Sequence, residues 1–152
     1  MPAPESGPIQ IIVHALVHAT ENEEKVCTSI RNLFPSLCHE ALQFNRRRLR
    51  GHFHNPIIQL VVTLSESKLI LQTLQDMGSR LHNGDREKLQ QDFKLHYDEK
   101  GQLFCRFNKQ ESYQGRLKLL DRGDSLRLII KFPSQMRDLE TVRQFCQKCK
   151  LL

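Results

Sequence analysis

The run Asn45-Arg-Arg-Arg-Leu-Arg50 places four arginines in six residues with no acid among them, and it leads directly into His52 and His54. A guanidinium group presents a planar fork of donors that matches phosphate oxygens two at a time, and histidines beside it can add hydrogen bonds or stack on bases. Arg46, Arg47, Arg48, Arg50, His52, His54 and Asn55 are therefore candidate contacts to a polyanion. The same run also reads as a solvated basic edge that discourages strand-to-strand aggregation, and by themselves these residues do not choose between the two readings.

A second basic set lies toward the C-terminus. Arg106, Arg116, Lys118, Arg127 and Lys131 alternate with apolar residues, so they converge on one exposed sheet face if the strands that carry them are neighbours. Phe104 points to that face, where an aromatic ring either stacks on a base or, more commonly, lies under a helix. Lys109, Gln110 and Tyr113 fall in a polar connection that needs no particular side chain for folding, which points to a binding loop.

Other reactive residue types carry weaker signals. His14 and His18 share one strand face at a separation of roughly 13 Å, too long for joint ligation of one metal, and read as structural or surface histidines. Cys146-Gln-Lys-Cys149 is a lone CxxC whose sulfurs share one helix face, which favours core packing. An enzyme reading would recruit His52, His54 and Lys109 for metal-independent RNA cleavage, but nothing in the sequence fixes their mutual geometry. Paired carboxylates at a metal-binding spacing, a phosphate-binding glycine loop and a nucleophile elbow are absent from the sequence, so no metal or other cofactor is expected.

These residues need elements to hold them. Ile11, Val13, Ala15 and Val17 alternate in a β-branched run that predicts a central strand, and Thr20-Glu-Asn-Glu23 has the spacing of a capping box for the helix that follows. Val26, Ile30, Leu33 and Phe34 supply that helix's buried stripe, and Pro35 ends it. Residues 37–49 read as extended, and a strand spans Ile57 to Leu64 after the turn at Gly51 to Pro56. Ser65 is the expected cap of a second helix facing inward through Leu69, Leu74, Met77 and Leu81, with a short helical turn over Asp85 to Gln91.

The period then returns to two. Phe93, Leu95 and Tyr97 lead into Asp98-Glu-Lys-Gly101, and Leu103, Cys105 and Phe107 lead out, as in a hairpin. A second hairpin is predicted with Leu117 and Leu119 before Asp121-Arg-Gly-Asp124 and Leu126, Leu128, Ile130 and Phe132 after it. A last helix carries Leu139, Val142, Phe145, Cys146 and Cys149. The expected order is β-α-β-β-α-(α)-β-β-β-β-α: an α+β fold, a mostly antiparallel sheet with helices packed on one face.

With 152 residues, 39% of them apolar, the chain suits one domain over 1–152, with 1–8 a flexible tail. Twenty-three Lys and Arg against 17 Asp and Glu leave a net charge of +6, which favours polyanionic partners without separating RNA from DNA or an acidic protein. No stretch reaches the roughly 20 apolar residues that cross a bilayer, and the first residues lack a signal peptide's basic and apolar parts, so no membrane association and a cytoplasmic location are expected. The five cysteines then read as reduced thiols.

Three segments together resemble one family: His18-Ala-Thr-Glu-Asn-Glu-Glu-Lys-Val26, Gly51-His-Phe-His-Asn-Pro-Ile57 and Arg106-Phe-Asn-Lys-Gln-Glu-Ser-Tyr-Gln-Gly115. In order and spacing they resemble the archaeal RNA-binding proteins described as predicted exosome subunits, over nearly the whole chain. The resemblance implies a fold similar to that of the large-subunit ribosomal protein that contacts five-S ribosomal RNA, and a role near RNA processing or degradation.

The combined expectation is a non-catalytic RNA-binding protein accessory to RNA processing or exosome-linked degradation, with RNA and RNA-processing or exosome proteins as partners. Its expected contacts are the arginine run, the turn from His52 to Asn55, Arg106, the segment Lys109, Gln110 and Tyr113, and Arg116 and Lys118. An adaptor docking an acidic protein is the alternative, with a metal-independent ribonuclease behind both. Four arginines on an exposed edge would repel their copies across a strand-paired dimer, which favours a monomer.

Overall fold

The structure, a computed structural model, describes residues 7–50 and 55–152. Most of the expected tail at 1–8, together with His52 and His54, lies outside the described residues. The strands are β1 (Gln10–Val17), β2 (Gln43–Arg50), β3 (Pro56–Leu64), β4 (Gln102–Phe107) and β5 (Leu126–Lys131). The helices are α1 (Glu23–Arg31), α2 (Ser67–Arg80), α3 (Asn83–Gln91), the short turns α4 (Phe93–His96) and α5 (Lys109–Tyr113), and α6 (Leu139–Lys148). The five strands form one sheet in the order β2-β3-β1-β5-β4, and every pairing is antiparallel.

The period-two reading of β1 holds. Ile11, Val13, Ala15 and Val17 are buried at 4% exposure or less, while Gln10, Ile12, His14 and Leu16 face away from the core. The buried side meets Val26 and Ile30 of α1, Ile70, Leu74 and Met77 of α2, and Val142 and Cys146 of α6 in one continuous apolar cluster. Each such aliphatic side chain contributes about 1.5–3 kcal/mol by leaving water, which fixes these helices to this face. Among the described residues the other face is the more open one, with Arg106 and Arg127 exposed and Ile129 alone of its β5 side chains buried. All five cysteines are buried free thiols, and burial pushes Cys105 up to about 12 and Cys149 up to about 11. Cys146 and Cys149 thus pack inward, as their shared helix face implied.

Several local expectations are corrected. Residues 93–96 are helical and not the arm of a hairpin: Phe93 and Tyr97 stack with ring centroids 6.4 Å apart, one helical turn from each other, while Leu95 between them is 84% exposed. The turn itself is present. Asp98 accepts at one carboxylate oxygen from the N–H groups of Lys100 and Gln102, and Gly101 takes a positive φ of 86°. Leu117 and Leu119 are buried but form no strand; Leu119 makes a single bridge to Phe107 on the outer side of β4, so β4 lies between this segment and β5.

The first part of 37–49 is also not extended, since Ser36–Ala41 is a 3-10 turn ahead of β2. The helix caps shift by a residue or two. Asn22, not Thr20, caps α1 by accepting from the Lys25 N–H, and Ser65 accepts from the Gln10 amide instead of capping α2.

Candidate nucleic-acid interface

The open face of the sheet carries the site. Because the side-chain period of a strand is two, the registers determine which residues stand side by side there. One row crosses all five strands as Arg106, Arg127, His14, Val61 and Asn45. The next row toward the start of β1 is Phe104, Ile129, Ile12, Thr63 and Gln43, and on the opposite side Leu16, Gln59 and Arg47 stand together.

Arg106 and Arg127 are therefore direct cross-strand partners, both exposed, and neither forms an ion pair among the described residues. Like charges directly opposite each other destabilise a sheet, so this pair is a standing cost to the free protein and a preformed seat for an anion. Beside them, His14 is held below its ordinary pKa of 6.5, first by burial and second by the Arg127 charge. The Arg127 guanidinium carbon lies 5.0 Å from the centroid of the Phe104 ring.

Two hollows flank this pair. One, of about 470 Å³, is lined by His14, Leu16, His18, Gln59, Arg106 and Arg127 among others. The other, of about 510 Å³, runs past Lys88, Leu95, His96 and Phe104 to the same two arginines. Arg106 and Arg127 belong to both, so the two join into one groove across the β4–β5 end of the face. Asp92, Asp121 and Asp124 also line it, with Asp121 paired to Lys88 and Asp124 to Lys109, which leaves the two arginines as its unpaired cations among the described residues. His14 and His18, separated by four residues in the chain, line the same groove; their shared strand face was legible, their proximity to the arginines was not.

The arginine run is split by its own strand. Arg47 stands on the open face opposite Gln59, while Arg46, Arg48 and Arg50 point to the helix side of the edge strand β2. Arg46 is engaged there, donating through Nε and Nη2 to the Glu23 carboxylate at 2.9 and 3.1 Å, which ties β2 to the first turn of α1. Arg48 and Arg50 are exposed, and Asn55 is exposed immediately before β3.

Lys109 is turned inward. Its side chain is only 10% exposed, and its ammonium donates to the Leu16 carbonyl at 2.6 Å, to Glu21 at 3.1 Å and to Asp124 at 2.8 Å. Three protons meet three sets of acceptors, so the group is saturated. Glu21 also accepts from the His18 N–H, and Asp124 lies 3.4 Å from His18 Nε2. Although His18, Glu21 and Asp124 bring ligand atoms within 4.8 Å of one another, the Lys109 ammonium already serves both carboxylates as counter-cation.

The rest of that segment is the helical turn α5, capped by Asn108, which accepts from the Glu111 N–H. A cleft of about 580 Å³ lies between α5 and the start of α1, lined by Asn22, Lys25, Gln110, Tyr113 and Arg116 among others. Tyr113 is 40% exposed with the Lys25 ammonium 5.9 Å from its ring centroid, and Arg116 pairs with Glu111 at 2.6 Å. Arg116 and Lys118 are exposed on the segment beyond the outer edge of β4, outside the strands that carry Arg106, Arg127 and Lys131.

A family described as RNA binding matches residues 10–132, from the first residue of β1 to just past the end of β5. The RNA-binding protein PAB1135 of Pyrococcus abyssi is 30% identical over 122 residues, covering 80% of this chain and 79% of its own length. The uncharacterized protein MJ0213 of Methanocaldococcus jannaschii is 31% identical over 127 residues, covering 80% of this chain and 83% of its own. Among solved structures, AF2318 from Archaeglobus fulgidus superimposes with a TM-score of 0.78 at 27% identity, over 93% of this chain and 99% of that one. The matched segment contains the whole sheet and the groove that holds Arg106 and Arg127 on its open face, and on that match the chain belongs to the RNA-binding family.

Proposed function

We propose that this protein is a non-catalytic RNA-binding protein, accessory to RNA processing or exosome-linked degradation, that receives RNA on the open face of its sheet. The observation that carries this reading is the unpaired cross-strand couple Arg106–Arg127 with His14 next in the row. A sugar–phosphate backbone seated there replaces a repulsion between two cations with charge-assisted hydrogen bonds. Arg47 continues the path toward β2, and Arg48 and Arg50, on the other side of that edge strand, offer contacts with Asn55 to RNA that wraps around the edge. Gln110, Tyr113 and Arg116 offer a separate flank around the cleft between α1 and α5, and Lys118 is exposed two residues further along the chain.

The family description and the name of PAB1135 support RNA as the partner in preference to an acidic protein. Incubation with a labelled RNA oligonucleotide at low salt tests the reading. A retarded complex that releases full-length RNA is the expected result. Absence of a complex overturns the RNA reading, and shortened RNA overturns the non-catalytic one. For the accessory role, the tagged protein should co-purify with RNA-processing subunits after crosslinking; their absence contradicts that part.

A further inference from the structure

We infer that the open face is built for single-stranded RNA, with one base stacked on the step formed by Arg127 and Phe104; this rests on the RNA reading above. Phe104 stands on the open-face side of β4, partly exposed, and lines a hollow with Leu95 and His96 of α4, whose Nδ1 lies 2.8 Å from the Phe104 carbonyl. Its row continues into Ile129, buried at 7% exposure, and Ile12, half-buried, so apolar side chains flank the ring in the row beside Arg106–Arg127–His14. Leu95, 84% exposed, stands at the rim of the groove that contains Phe104 and lengthens the apolar border.

A duplex keeps its bases stacked inside and offers only phosphates and grooves to a surface of this kind, which would leave the Phe104 ring uncovered. A single strand can lay its phosphates on the cationic row and turn an unpaired base onto the adjacent ring. Stacking on aromatic rings and guanidinium planes tolerates any base and does not depend on salt as phosphate contacts do. The arrangement on this face supplies both in neighbouring rows: phosphate seats at Arg106 and Arg127, and a planar platform where Arg127 lies against Phe104.

The test compares a labelled single-stranded RNA of about 12 nucleotides, within the usual range of single-strand site sizes, with the same sequence annealed to its complement. The protein is measured as the parent, as Phe104→Leu, which retains apolar bulk, and as Arg127→Lys, which retains the charge at an exposed position. The parent should prefer the single strand. Both variants should melt close to the parent and weaken single-strand binding by roughly 5- to 100-fold, while Phe104→Leu, which removes no charge, keeps the parental salt dependence.

Equal or tighter binding of the duplex by the parent overturns the inference while leaving RNA binding intact. So does parental single-strand affinity in Arg127→Lys, which folds whatever becomes of Phe104→Leu. If the parent binds neither form, both the inference and the RNA reading fall.

Discussion

Arg106 and Arg127 face each other across β4 and β5 without a carboxylate partner among the described residues. A sheet optimised only for stability would not place two guanidinium groups in one cross-strand pair. Arg106→Gln should therefore stabilise the free protein slightly, by a few tenths to about 1 kcal/mol, while weakening RNA binding. Urea unfolding and RNA titration of the same variant check the trade. A loss of both stability and affinity would show that Arg106 supports the fold and not a ligand.

His14 makes binding depend on pH. Burial and Arg127 hold its folded pKa below 6.5, so as pH falls toward the folded value the unfolded chain takes up a proton that the native state does not. Its contribution to stability is therefore present above pH 6.5 and is lost as pH falls through the folded value. A phosphate beside Arg127 offsets the second cause, raises the His14 pKa and draws in a proton on binding. Calorimetry in buffers of different ionisation enthalpy should show proton uptake below pH 6.5 that disappears in His14→Gln. Equal uptake in the variant would place the phosphate elsewhere.

Lys109 should matter to the fold more than to RNA. Lys109→Met leaves Glu21, Asp124 and the Leu16 carbonyl without their shared donor. The expected cost is about 2 kcal/mol, below the range for fully buried pairs because Asp124 is 46% exposed. Urea unfolding should show that loss, and the salt dependence of RNA binding should stay at the parental value. A shallower slope with unchanged stability would make Lys109 a phosphate contact.

The layer of helices has a tight point at Gly78. A side chain added there would collide with the backbone carbonyl of Cys149, and Arg86 closes the same corner by donating to the carbonyls of Gly78, Leu81 and Lys150. Gly78→Ala should lower stability by about 1–3 kcal/mol in thermal or urea unfolding without altering RNA affinity. Parental stability would show that the C-terminal segment moves aside freely.

Much of this architecture was legible from local pattern because burial on one side of β1, β3 and α6 imposes a clear period. The errors fell where two periods coincide. Phe93 and Tyr97 satisfy both a strand's alternation and a helix's four-residue repeat, and only the exposure of Leu95 between them separates the two. Leu117 and Leu119 are apolar and buried in an alternating pattern, yet the segment makes one bridge to an outer edge, a tertiary circumstance that no window of sequence records.

The site was partly legible for the same reason. Arg106, Arg127, Lys131 and Phe104 were placed on one face by alternation alone, and the registers confirm that face. The arginine run suggested one basic patch, but alternation along β2 sends Arg47 to the open side and Arg46, Arg48 and Arg50 to the other. The inward turn of Lys109 depends on Glu21 and Asp124, which lie 88 and 15 residues away in the chain, and no local signal announces them.

The central claim is that Arg106 and Arg127 hold phosphates, and the salt dependence of RNA binding tests it most directly. Affinity for a single-stranded RNA is measured over a range of salt for the parent, for Arg106→Ala/Arg127→Ala, and for Lys148→Ala, an exposed cation of α6 in the helix layer. The log–log slope of the double variant should be shallower by about 1.4, roughly 0.7 for each phosphate that is no longer neutralised, while Lys148→Ala keeps the parental slope. A double variant that still binds with the parental slope would contradict the claim and place the RNA on another surface.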